Sequence, residues 1–156
     1  MRKKKKVDRK IVSDPVYGDI LIAKFTNHLM VSGKKSIARK IIYDCFDLIK
    51  EKAKKDPVEI FQDAINNAAP RVEVVSRRIG GARYQIPKEV SGERKTTLAM
   101  RWLIGSARKS HGKSMSEKLF VELTAAAKHE GEAIKKKREI EKIAEANRAF
   151  AHFAWR

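Results

Sequence analysis

The amino-acid sequence predicts a mainly α fold: a single-domain helical bundle of about six helices with one protruding two-stranded antiparallel β-ribbon and a basic N-terminal arm. Three observations lead there. Apolar residues recur at helical spacing along most of the chain, and the period switches to two on either side of Gly80-Gly81. Ahead of the first periodic segment, Lys3, Lys4, Lys5 and Lys6 repel one another, and the Asp14-Pro15 and Tyr17-Gly18 pairs interrupt any regular element. The arm therefore takes residues 1–18 and the helical domain residues 19–156, with the ribbon inside it over 71–88.

The first helix is expected over 20–31, burying Ile20, Leu21, Phe25, Leu29 and Met30 and ending at Ser32-Gly33. A second, over 36–54, starts at Ser36 and buries Ile37, Ile41, Ile42, Phe46 and Ile49. The third has the clearest start in the chain, with Asp56 as N-cap, Pro57 at the first helical position and Glu59 three residues after the cap. It presents Val58, Phe61, Ala64, Ile65 and Ala68 until Pro70 stops it.

Val72, Val74 and Val75, then Tyr84 and Ile86, read as two strands whose two-residue turn needs positive φ at both glycines. That register sets Arg78 opposite Arg83, Arg77 opposite Tyr84 and Val75 opposite Ile86. Paired residues share a face, so Val75 and Ile86 point to the body, with Arg77 and Tyr84 nearer the tip. A helix over 93–109 buries Leu98, Ala99, Trp102 and Leu103 and turns its basic residues outward. One over 115–129 buries Leu119, Phe120 and Leu123, and the last runs from 132 to the end with Glu132/Lys136 and Lys137/Glu141 as spaced pairs. Phe150, His152, Phe153 and Trp155 are too apolar together for water and should pack on the body or on a partner protein.

The chain carries a formal net charge of +17 over 156 residues, and the charge is focused. Residues 1–10 hold seven basic side chains against Asp8, and residues 71–113 hold eleven against Glu73, Glu89 and Glu93. The flanking helical regions are close to neutral. Such clusters attract polyanions, above all nucleic-acid phosphates, through counterion release and steering; the competing reading is a basic tail that only aids solubility.

Cys45, among Ile41, Ile42, Phe46 and Ile49, reads as a buried inert thiol in a reducing, cytosolic setting. The residues after the basic start, Asp14, Pro15, Gly18 and Asp19, argue against a secretory signal, and no stretch has the length of a membrane span. Gly33-Lys34-Lys35-Ser36 and Gly112-Lys113-Ser114 look like the end of a phosphate-binding loop, but its first glycine would fall at His28 and Ala107. His28, His111, His129 and His152 share no metal-ligand spacing with Cys45 or a carboxylate cluster. Asp44 and Asp47 read as a surface pair. No nucleophile, base and orienting group assemble, so no enzyme and no cofactor are expected.

Asp19, Leu21, Phe25, Thr26, Gly33, Lys34, Lys35, Ile41, Ile42 and Cys45 stand in the spacing D-x-L-x3-F-T-x6-G-K-K-x5-I-I-x2-C. Further on come the runs Pro70 to Val74, Ser76 to Ala82, Ala99 to Leu103 and Ala146 to His152. Together these resemble the S-seven family of small-subunit ribosomal proteins in its bacterial form, in order across the whole chain. The resemblance implies a cytoplasmic, non-enzymatic constituent of the small ribosomal subunit that binds the 3′ major domain of its RNA and nucleates assembly of the head. It also implies proximity to the exit-site transfer RNA and the messenger path, contact with small-subunit proteins nine and eleven, and, in some bacteria, repression of the protein's own messenger.

By position, the ribosomal-RNA-facing residues implied by the family are Arg2, Lys3, Lys4, Lys5, Lys6, Arg9, Lys10, Lys34, Lys35, Arg77, Arg94, Lys95, Arg101, Arg108 and Lys109. The transfer-RNA-facing tip is Arg78, Gly80, Gly81, Arg83 and Tyr84. Two positions depart from the bacterial pattern: Ala154 precedes Trp155 where a basic residue is usual, and Arg83 stands where a neutral one is common. The alternative reading of the same charge is a basic helical DNA-binding or chromatin-like protein. No three-helix recognition module with a short turn supports it.

Overall fold

The structure is a computed structural model that describes residues 11–155, apart from the side chain of Trp155. The chain divides between Lys40 and Ile41 into two compact units, and one helix runs through the division.

In the first unit a tight turn precedes helix α1 (Ile20–Leu29). Asp14 is buried, and its Oδ2 accepts from the backbone N–H of Val16 at 3.1 Å and of Tyr17 at 3.2 Å. The Gly18 N–H closes the turn onto the Asp14 carbonyl at 2.8 Å. Asp19 then caps α1 by accepting from the Leu21 N–H at 2.7 Å. The buried stripe is Ile22, Ala23, Phe25, Thr26 and Leu29. Phe25 and Leu29 keep their expected place, but Ile20 is exposed and Leu21 and Met30 are half-buried. The stripe is therefore turned onto Ile22, and Thr26 joins it because its hydroxyl donates to the Ile22 carbonyl at 2.8 Å. Ser32 and Gly33, with φ of 52° and 73°, carry the chain into α2 (Lys35–Leu48).

Helix α2 buries Ala38 and then, in the second unit, Ile42, Cys45 and Phe46, while Ile37 is exposed and Ile41 half-buried. It does not run on to residue 54 as an α-helix. Its end widens into a π-helical turn, Ile49–Ala53, and Lys54 leaves in the left-handed conformation with φ of 50°. Helix α3 (Pro57–Ala68) starts as the sequence predicts, with Asp56 Oδ1 accepting from the Val58 N–H at 3.0 Å. The Phe61 ring meets Phe46 edge-on, with centroids 5.8 Å apart.

Strands β1 (Val72–Ile79) and β2 (Ala82–Glu89) pair antiparallel in the predicted register, with Gly80 and Gly81 at φ of 57° and 93°. Helix α4 (Gly92–Lys109) follows, then α5 (Met115–Ala127) and α6 (Glu132–Ala146). Within this unit α3 packs on α5 and α4, α4 on α5 and α6, and α6 on β1. Phe61, Met100, Leu103, Leu119 and Leu123 lie at its centre, with Trp102 buried as its place on the stripe implied.

Asn67, near the end of α3, clips three helices together. Its side-chain amide donates to the carbonyls of Ala126 and Ala127 at 3.0 Å each, and its own carbonyl accepts from Lys137 Nζ at 2.8 Å. Lys137 is thus committed to α3 and not to Glu141. Glu132 likewise pairs with Lys135 at 2.6 Å, while Lys136 lies over the Trp102 ring at 6.0 Å from its centroid. The final helix also stops short of the chain end: Asn147 turns both its backbone N–H and its side-chain amide to the Ile143 carbonyl, and a 3-10 helix, Arg148–Trp155, follows.

Candidate nucleic-acid interface

Arg94, Arg101 and Arg108 stand seven residues apart on α4, so successive side chains differ in direction by only about 20°. All three are exposed, on the side of the helix away from the buried Ala99, Trp102 and Leu103. Lys109 is exposed one residue on, and Lys95 is half-buried on the flank. Along this ridge lies the half-buried Gly105, where an added Cβ would meet nothing within 4 Å.

The foot of the ridge is tied to the ribbon. Arg94 Nε and Nη2 both donate to Glu73 Oε2 on β1, at 3.2 and 3.1 Å. The two residues are 21 apart in the sequence, and nothing in the local pattern of either announces the contact. Glu73 also stands opposite Lys88 in the strand pairing. Lys88 and Arg71 are further exposed cations of the same charge cluster.

The ribbon sorts its side chains by face. Arg78 and Arg83 are opposite each other and exposed, one step from the Gly80-Gly81 tip. Among the described residues no carboxylate lies within ion-pair distance of either. Arg77 and Tyr84, on the other face, are turned onto the C-terminal 3-10 helix: Arg77 Nη1 donates to the Phe153 carbonyl at 3.1 Å, and the Tyr84 ring lies 5.1 Å from that of Phe150. Phe150 of the aromatic tail thus packs on the chain itself, whereas His152 is exposed. Ile86 is buried as expected at 1 % exposure, whereas its partner Val75 is 37 % exposed. A shared face is not a shared environment, since these cross-strand partners differ this much in cover.

Lys34 and Lys35 lie in the first unit, exposed at the start of α2 just after the left-handed Ser32 and Gly33. Arg2, Lys3, Lys4, Lys5, Lys6, Arg9 and Lys10 fall outside the described residues. Burial pushes the Cys45 thiol up to about 12, well away from a thiolate. Among the described residues no group of three or more His, Cys, Asp or Glu side chains could hold a metal ion.

One ionisable group escaped the sequence reading altogether. Glu122, on α5, is 8 % exposed, and its Oε1 accepts from the Ala133 N–H at 2.8 Å, in the first turn of α6. Burial raises its pKa above the ordinary carboxylate range, against the opposing pull of the backbone N–H groups of Ala133 and Glu132. It takes the place of an N-cap side chain, because the cap residue is Gly131 at φ of 95°, where a Cβ would sit 3.1 Å from Glu122 Oε1.

A family model described as ribosomal protein S7p/S5e matches residues 1–148. The chain belongs to the ribosomal protein S7 family. It is 53 % identical over 155 residues to the small ribosomal subunit protein uS7 of Thermotoga neapolitana, covering 99 % of this chain and 100 % of that one. It is 52 % identical over 147 residues to the uS7 protein of Mycoplasmopsis agalactiae, with 94 % of each chain covered. The uS7 protein of Moorella thermoacetica is 51 % identical over the same length. As a member of the S7 family the chain is a structural, non-enzymatic component of the small subunit of the cytoplasmic ribosome, associated there with ribosomal RNA. The ridge, the ribbon tip and Lys34-Lys35 all lie within the residues that the family model matches, whereas most of the 3-10 helix lies beyond them.

Proposed function

We propose that this chain is a primary binder of the 3′ major domain of small-subunit ribosomal RNA, nucleating head assembly, with its ribbon tip beside the exit-site transfer RNA and the messenger path. The observation that carries this reading is the alignment of Arg94, Arg101 and Arg108 into one exposed ridge on a helix whose opposite side is core. Phosphates supply the affinity and RNA shape the specificity, because side chains cannot read the deep major groove of A-form RNA. Lys95, Lys109, Lys34, Lys35 and the basic residues of the 1–18 arm extend the contact, and residues 19–156 act as one RNA-binding domain. Arg78, Gly80, Gly81 and Arg83 face transfer RNA, while Arg77 and Tyr84 contribute by holding the ribbon. Small-subunit proteins nine and eleven are its protein neighbours.

Crosslinking to a transcript of the 3′ major domain, with the peptides identified, tests the assignment. Crosslinks should fall in α4, around Lys34-Lys35 and in the arm. Equal competition by duplex DNA at fixed salt would favour the general DNA-binding reading instead and defeat this one.

A further inference from the structure

We infer that Glu73 is a specificity-determining residue of the RNA interface: it holds the Arg94 guanidinium in one orientation and so fixes the direction in which Arg94 offers its remaining donors. The inference rests on α4 being an RNA-facing helix, as proposed above. A guanidinium carries five N–H groups in a rigid planar fork. The contact with Glu73 Oε2 takes the Nε–H and one N–H of Nη2. Both N–H groups of Nη1 and the second of Nη2 remain at the outer end, the arrangement that grips two phosphate oxygens or the O6 and N7 edge of a guanine.

The environment of the pair suits that role. The Glu73 side chain is the sheltered partner at 21 % exposure and Arg94 the open one at 45 %. Glu73 is held by the strand pairing opposite Lys88, and Arg94 belongs to the first turn of α4, so both anchors are on regular elements. An ion pair this exposed contributes little to folding stability. By charge alone a carboxylate here weakens attraction for any polyanion. What it supplies is orientation, which rewards an RNA of the right shape and gives nothing to a formless one.

The two effects have opposite signs, so they separate experimentally. Affinity is measured at one salt concentration for the wild type, Glu73→Ala, Glu73→Gln, Arg94→Ala and the double variant Glu73→Ala/Arg94→Ala. The two ligands are a transcript of the 3′ major domain and unstructured polyuridine, and thermal melting confirms folding. Glu73→Ala should bind polyuridine as well as or better than the wild type, yet bind the transcript about 3–10-fold more weakly. Glu73→Gln, which keeps an acceptor for Arg94, should lie between. In the Arg94→Ala background, removing Glu73 should not change the preference for the transcript over polyuridine. Equal tightening toward both ligands would make Glu73 a plain electrostatic brake and overturn the inference, as would a loss of preference that persists without Arg94. A wild type with no preference for the transcript would instead strike at the RNA-binding reading itself.

Discussion

The Tyr84 ring in β2 and the Phe150 ring in the C-terminal 3-10 helix lie 5.1 Å apart, tilted at 53°. The contact joins the ribbon to a segment 66 residues later and fixes the inner face of a hairpin that would be marginal in water by itself. Arg77, cross-strand neighbour of Tyr84, binds the same helix through the Phe153 carbonyl. The ribbon therefore has a buttressed face and an open one.

Tyr84→Ala or Phe150→Ala should each lower stability by about 1–3 kcal/mol, and the double variant should cost less than the sum because the two share one contact. Amide exchange should quicken through β2 in either single variant. Undiminished protection there would show that the tail does not support the ribbon.

Arg78→Ala with Arg83→Ala removes a like-charge pair on the open face. Melting should be unchanged or slightly raised, and the 3′ major domain should still be bound in large part. Exit-site transfer-RNA occupancy in reconstituted subunits should change. Ile86→Ala should do the reverse, costing about 2–4 kcal/mol of stability, while Val75→Ala should cost under about 1 kcal/mol because that side chain is 37 % exposed.

The pH dependence of stability should report Glu122. Its folded pKa lies above the ordinary value of 4.5, so the stability gained from its proton is fully present below that value and fades as pH rises through the folded one. Glu122→Gln cannot lose that proton. Relative to the wild type it should gain melting temperature as the pH climbs above the ordinary carboxylate range, and level off once the folded pKa is passed. A difference drifting the other way would mean that the helix N-terminus, not burial, governs the group.

Cys45, with its thiol pushed up to about 12, should resist alkylation at mildly alkaline pH until the chain unfolds. The alkylation rate should rise with denaturant in step with loss of helical signal. Rapid labelling of the native protein would place the thiol at the surface.

The slope of log affinity for the 3′ major domain against log salt should be steep, each phosphate contact adding about −0.7 to −0.9. Removing residues 1–10, with their seven basic side chains, should make it shallower without lowering the melting temperature. A slope unchanged by the deletion would take the arm out of the contact.

What the sequence determined by itself was whatever acts within a turn or two of chain. Asp56-Pro57 starts α3 because capping is settled within three residues, and Gly80-Gly81 sets the ribbon register because only the tight turn they form brings Arg78 opposite Arg83. The heptad spacing of Arg94, Arg101 and Arg108 was likewise there to be read, since a single helix geometry converts it to a ridge. The tertiary structure alone decided which expected core residues are left open, exposing Ile20, Ile37 and Val75 while turning Ile22 inward. It alone also joined Glu73 to Arg94, Lys137 to Asn67, Glu122 to Ala133 and Tyr84 to Phe150. Burial and long-range pairing depend on surfaces supplied by other elements, and periodicity carries no information about which element will arrive to cover a face or answer a charge.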